Sequence, residues 1–166
     1  INHPFRLGKG SIGKILPGRE VKLSSDGEIL VRGESIAKSY YQGQEAKPVS
    51  GEEGWFHTGD LGAMDADGNL YFKGRLKNVI VSPEGMNIYP EDLENALRRQ
   101  QEVRDCVVLE VDRAGNPEAC AVLILRDRDT LPEMVIEQAN RSLAEYQHIR
   151  RWLIWPEEDF PRTPTQ

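Results

Sequence analysis

Histidine and cysteine are scarce in this chain, three and two in 166 residues. His3, His57 and His148 lie far apart, and no Cys/His spacing suggests a zinc site. Cys106 and Cys120 each sit in an apolar, strand-like run. Buried free thiols in a reducing compartment are therefore expected rather than a disulfide. Long hydrophobic runs are also missing. AVLIL at 121–125 is typical of the longest, far short of the ~20 residues that span a bilayer. No signal-peptide pattern is read at the start, and a cytoplasmic location is expected. Positive charge is not in excess: 21 basic against 27 acidic side chains leave a net charge of −6. That argues against nucleic acid as a partner, which asks for a basic face. No G-x-S-x-G or other nucleophile signature appears.

Glycine is plentiful, 15 residues, and two Gly-rich stretches invite chemical readings. GKGSIGKI at 8–15 nearly spells a phosphate-cradling loop, with Gly8, Gly13 and Lys14 in register. However, Ile15 stands where a hydroxyl should reach Mg2+, and Pro17 and Gly18 break the helix such a loop must open. A Gly-rich lead into a strand fits better. DADGN at 65–69 resembles the start of a calcium loop, but its twelfth position is Leu76 and not an acid. A turn fits better there too. In HIRRW at 148–152, the basic pair Arg150 and Arg151 reads as a solvated helix end, with a phosphate contact as the alternative.

Residues 19–73 read as strands and turns: REVKL, then EILVRG after SSDG, then NLYFKG after DADG. An antiparallel, barrel-like unit is expected. The character changes near 74–77. KNVIV reads as a short strand and SPEGMN as a loop. IYPEDLENALRRQ reads as a helix, with Pro90 in its first turn, Glu91 and Asp92 at its positive end, and Leu93 and Leu97 on one face. VRDCVVLEVD and PEACAVLILR read as paired strands. A second helix is expected from a Thr130/Glu133 capping box and from Leu131, Val135, Ala139 and Leu143 at intervals of four. RRWLIW reads as a last strand. The fold class is thus α+β, with a small β-α-β-β-α-β unit second.

Two further stretches carry more. GWFHTGDLG at 54–62 contains TGD, by itself a turn sequence. GRLKNVIVSPEGMNIYPEDLE at 74–94 places an Arg and a Lys at the boundary, then a Gly-containing loop and a helix. Together with GEILVRG at 27–33, YYQG at 40–43 and the closing PRTPTQ, these stretches make the chain resemble the adenylate-forming enzymes. Within that family the resemblance is to acyl-CoA synthetases and fatty-acid–CoA ligases.

The resemblance implies a division of the chain. Residues 1–73 would end a large N-terminal domain, 74–77 would be a hinge, and 78–166 a mobile C-terminal domain. It implies that Asp60 bonds both ribose hydroxyls of an adenylate. A carboxylate can accept from two neighbouring O–H donors. Arg75 would contact the ribose or phosphate, with several fixed donors. Lys77 would be the hinge residue. Gly85 and Met86 would lie on the loop that approaches CoA's pantetheine, with Gly85 leaving room for it.

ATP, Mg2+ and CoA are the implied cofactors of the intact enzyme, and a small carboxylic acid its substrate. Peripheral membrane association stays open. The loop is one residue longer than the family pattern, and Val81 stands where many members carry Lys. The family's ATP phosphate loop would lie upstream. Its terminal lysine would fall just after Gln166. The chain begins at Ile1, as a fragment or processed product would. Alone it is expected to be inactive. A ligase that loads a carrier protein, and a non-catalytic truncated paralogue, are the alternatives.

Overall fold

The computed structural model describes residues 10–34, 36–37, 39–42, 45–48, 51–127 and 129–161. The chain divides into two compact units, Ile1–Lys77 and Asn78–Gln166.

In the first unit, glycine- and aspartate-rich turns help divide the described residues into seven strands. They are β1 (Gly13–Lys14), β2 (Arg19–Leu23), β3 (Glu28–Gly33), β4 (Ser39–Gln42), β5 (Glu45–Pro48), β6 (Phe56–Met64) and β7 (Asn69–Arg75). Five of them form one antiparallel sheet in the order β1-β7-β6-β3-β2, and β4 and β5 form a separate hairpin. The antiparallel sheet expected from the sequence is present. It is open rather than barrel-like, because among the described residues β1 and β2 remain its edges.

Ile29, Leu30, Trp55, Leu61 and Leu70 are buried in this unit. Trp55 holds two cations: the Lys22 ammonium and the Arg32 guanidinium lie 4.3 and 4.5 Å from its ring centroid. Such contacts add to the burial of the ring itself. Gly13 and Lys14 of the Gly-rich opening lie in β1, paired with Leu70 and Asn69. A turn and another strand follow, so no helix end faces them. Gly8 and Lys9 lie outside the described residues. In DADGN, Asp65 accepts from the Asp67 and Asn69 N–H groups, the Asn69 amide and the Tyr71 hydroxyl. Its oxygens hold the turn, and among the described residues no cluster of metal-binding side chains occurs.

The second unit runs β8 (Ile80–Val81), β9 (Asn87–Ile88), α1 (Pro90–Arg98), β10 (Val103–Arg113), β11 (Asn116–Leu125), α2 (Pro132–Asn140) and β12 (Arg151–Ile154). β10 and β11 pair antiparallel, β12 joins β11 in parallel, and β8 and β9 form a short hairpin. The expected order is present, with β9 added by the return of the loop. Leu93 and Leu97 of α1 are fully buried and share one core with Cys106, Val108, Leu123, Val135 and Ile136. Burying each such leucine contributes roughly 1.5–3 kcal/mol. Cys106 and Cys120 are buried and free. Burial pushes the Cys106 thiol up to about 11.

The second helix departs from expectation at its start. Its N-cap is Leu131, without a side-chain cap, and Pro132 is in the first turn. Proline suits that position because its missing N–H would have no helical partner there. Thr130 therefore falls outside the helix and makes no capping box. Leu131 is 60% exposed, while Ile136, beside Val135, widens the buried stripe. No helix among the described residues is long and apolar enough to cross a membrane.

Candidate functional site

TGD is not a turn between elements. It lies within β6, where the ladder with β3 is interrupted. Glu28 is opposite Leu61, whereas Leu30 is opposite His57. One residue of β3, Ile29, thus faces three of β6, and Thr58, Gly59 and Asp60 bulge from the sheet. A bulge removes backbone partners, and something must replace them. Here the replacements come from β3. Glu28 Oε1 accepts the Gly59 N–H at 2.9 Å, and the Thr58 hydroxyl donates to the Ile29 carbonyl at 2.7 Å. The same hydroxyl oxygen accepts the Asp60 N–H at 3.1 Å. Gly59 takes φ +71°, a backbone region that glycine enters without a Cβ penalty.

The bulge presents Asp60 beside Arg75. The two are cross-strand neighbours on β6 and β7. Arg75 Nε lies 3.0 Å from Asp60 Oδ1, with the two side chains 53% and 31% exposed. That contact is an ion pair off hydrogen-bond alignment. Oδ1 is itself shielded from solvent and receives no aligned hydrogen bond among the described residues. A partly exposed carboxylate beside a guanidinium suits a ligand carrying hydroxyls and negative charge. The hairpin therefore brings together two residues that lie fifteen positions apart in sequence.

Lys77 follows in an exposed 3-10 turn, Leu76–Asn78, at the end of the first unit. Gly85 and Met86 belong to the second unit, in the turn between β8 and β9. The Gly85 N–H donates to the Ser82 carbonyl at 2.8 Å, and the Ser82 N–H to the Met86 carbonyl at 2.9 Å. Gly85 has φ +79°, and a Cβ built there would meet nothing within 4 Å. Within this unit, backbone conformation and not crowding accounts for the glycine. Ser82 also bonds Glu84 at 2.7 Å, and this hydroxyl chiefly holds the Glu84 carboxyl below its ordinary value. Met86, Glu84, Tyr146, His148 and Arg150 line a cleft of about 570 Å³. Arg150 and Arg151 are not at a helix end: Arg151 begins β12 and pairs with Glu118, while Arg150 lines the cleft. Residues 162–166, all of the PRTPTQ ending but Pro161, are outside the described residues, as is Gly43 of YYQG.

No family model matches the chain. Individual proteins do. It is 33% identical over 183 aligned positions to the long-chain-fatty-acid–CoA ligase FadD15 of Mycobacterium tuberculosis, covering 94% of this chain and 30% of that protein. It is 42% identical over 159 positions to the 3-[(3aS,4S,7aS)-7a-methyl-1,5-dioxo-octahydro-1H-inden-4-yl]propanoyl:CoA ligase of Rhodococcus jostii, covering 92% of this chain and 30% of the ligase. Among solved structures, o-succinylbenzoate CoA synthetase (MenE) of Bacillus subtilis with its acyl-adenylate intermediate superposes with a TM-score of 0.81. Identity is 30%, and 93% of this chain and 33% of that one are covered. The chain belongs to the adenylate-forming enzymes. It spans about a third of the length of the family members it matches.

For this adenylate-forming chain, the sequence pointed to Asp60 and Arg75 but not to what supports them. Glu28 is the only buried charged residue among the described residues. Burial alone would raise its carboxyl, but hydrogen bonds from His57 and the Gly59 N–H outweigh this and leave it below its ordinary value. His57 Nδ1 lies 2.8 Å from Oε2. A signal was available. Strand alternation puts Glu28 on the same face as the buried Leu30, and an acid on a buried face needs partners.

Proposed function

We propose that this chain is the C-terminal part of an ATP-dependent acid–thiol ligase that forms an acyl-adenylate and passes the acyl group to CoA. The carrying observation is the Asp60–Arg75 pair, built by the β6–β7 hairpin and ending two residues before Lys77. In this reading Asp60 receives the ribose hydroxyls of the adenylate and Arg75 balances charge at the ribose and phosphate. Lys77 is the hinge between residues 1–73 with their upstream continuation and the mobile unit 78–166. ATP supplies the adenylyl group. A second MenE structure, at TM-score 0.79, is in complex with ATP and a magnesium ion, which supports Mg2+ as the accompanying ion. No residue of this chain is assigned to the metal.

The Gly85–Met86 turn would face the pantetheine thiol in the second half-reaction. The neighbouring cleft, with Arg150 and Tyr146 on its wall, offers the acceptor a cation and an aromatic ring. A fatty acid is the first substrate to try, on the strength of FadD15. The other two relatives are named for ring-bearing acids, so the panel must include those. The enzyme is expected to be cytoplasmic. The 166 residues alone are expected to be inactive, since they span only a third of their relatives.

The test is acid-dependent ATP–pyrophosphate exchange by the full-length protein, followed by thioester formation with CoA or with a carrier protein. Exchange that leads to acyl-CoA supports the reading. Transfer only to a carrier protein replaces the acceptor. No exchange with any acid, from the folded full-length protein, removes the catalytic reading.

A further inference from the structure

We infer that Glu28 is a positioning residue for Asp60, anchoring from the neighbouring strand the bulge that presents the carboxylate. The inference rests on the reading of Asp60 as the ribose acceptor. A buried carboxylate is destabilising unless its lone pairs are met. Both Glu28 oxygens are met by the segment that carries Asp60. Oε1 takes the Gly59 N–H at 2.9 Å, and Oε2 lies 2.8 Å from His57 Nδ1. The carboxylate thus holds the residues on either side of Thr58. Thr58 in turn is tied to Ile29 and accepts the Asp60 N–H. His57, Thr58, Gly59 and Asp60 are each fixed by side-chain bonds that trace to two adjacent residues of β3. A bulge held only by ladder bonds would leave Asp60 free to pivot about Gly59, at φ +71°. Glu28 removes that freedom from the neighbouring strand.

A purely structural role predicts lost stability and nothing else. Positioning predicts a change in how the protein distinguishes ribose hydroxyls. The experiment is calorimetric binding of AMP and 2′,3′-dideoxy-AMP to the full-length protein, with melting temperatures measured beside it. The variants are Glu28→Asp, Glu28→Gln, Asp60→Ala and the double variant Glu28→Asp/Asp60→Ala. Glu28→Asp keeps the charge but withdraws it by one methylene, out of reach of Gly59. Glu28→Gln keeps the reach and an acceptor oxygen.

Wild type should prefer AMP by about tenfold or more, and Asp60→Ala should erase that preference. Glu28→Asp should cut it about threefold or more, Glu28→Gln should keep it within about twofold, and the loss of AMP affinity from Glu28→Asp should shrink in the Asp60→Ala background. If Asp60→Ala loses the preference and folded Glu28→Asp keeps it, the inference is overturned while the ribose site stands. If Asp60→Ala keeps the preference, the ribose reading is wrong and the inference goes with it.

Discussion

Asp60 and Glu28 are two carboxylates on adjacent strands in different surroundings. Asp60 is partly exposed and lies against Arg75 through a shielded Oδ1. Both oxygens of the buried Glu28 are bonded within the protein. Each hydrogen bond from a ligand hydroxyl to an ionised carboxylate is worth about 1.5–3 kcal/mol. Asp60→Ala should therefore weaken AMP binding by roughly 10- to 100-fold or more, as calorimetry on the full-length protein would show. Unchanged affinity would remove Asp60 from the site.

Glu28 makes a second prediction, in pH. Its folded carboxyl lies below the ordinary 4.5, because the His57 and Gly59 bonds outweigh the opposing effect of burial. A depressed pKa stabilises the fold in full above the unfolded value. That contribution is lost as pH falls below about 4.5 and through the lowered folded value. Melting temperatures across that acid range should fall less steeply in Glu28→Gln than in wild type, because the glutamine does not titrate. Equal slopes would mean that Glu28 contributes nothing to acid sensitivity.

The elements show which features the sequence makes legible. α1 is legible because Pro90, Glu91, Asp92 and the Leu93/Leu97 spacing all agree with one another. The start of α2 is misread because Thr130 and Glu133 fit a capping box while Pro132 sets the first turn one residue later. TGD by itself reads as a turn, and its bulge is not legible because a bulge is a property of two strands. Only the offset between Glu28↔Leu61 and Leu30↔His57 reveals it.

Packing in the β6 region gives a further test. A Cβ at Gly62 would lie 2.7 and 2.8 Å from two Ile29 side-chain carbons and 3.0 Å from the Tyr71 carbonyl oxygen. Gly62→Ala should therefore destabilise the first unit by about 1–3 kcal/mol, as overpacking does, measured by denaturant unfolding. At Gly85 the space is open and the cost is conformational. Gly85→Ala should cost about 1–2 kcal/mol, the penalty for a left-handed non-glycine residue.

For the whole molecule, strand alternation gives way to helical spacing near 74–77 in the sequence. The chain divides into its two compact units between Lys77 and Asn78. The open edges of the first sheet and the parallel seating of β12 on β11 were not legible, since both depend on pairings distant in sequence. In the proposed function the two units serve different half-reactions, and substitutions should separate them. Arg150→Ala, on the cleft of the second unit, should raise KM for CoA several-fold and leave ATP–pyrophosphate exchange unchanged. A fall in both would place Arg150 in the adenylation step instead.

The most direct test of the account is acid-dependent ATP–pyrophosphate exchange by the full-length protein, wild type and Asp60→Ala, across fatty and ring-bearing acids. The account predicts exchange with at least one acid and a loss of at least about tenfold in the variant. Exchange with no acid, or equal exchange in both proteins, would contradict it.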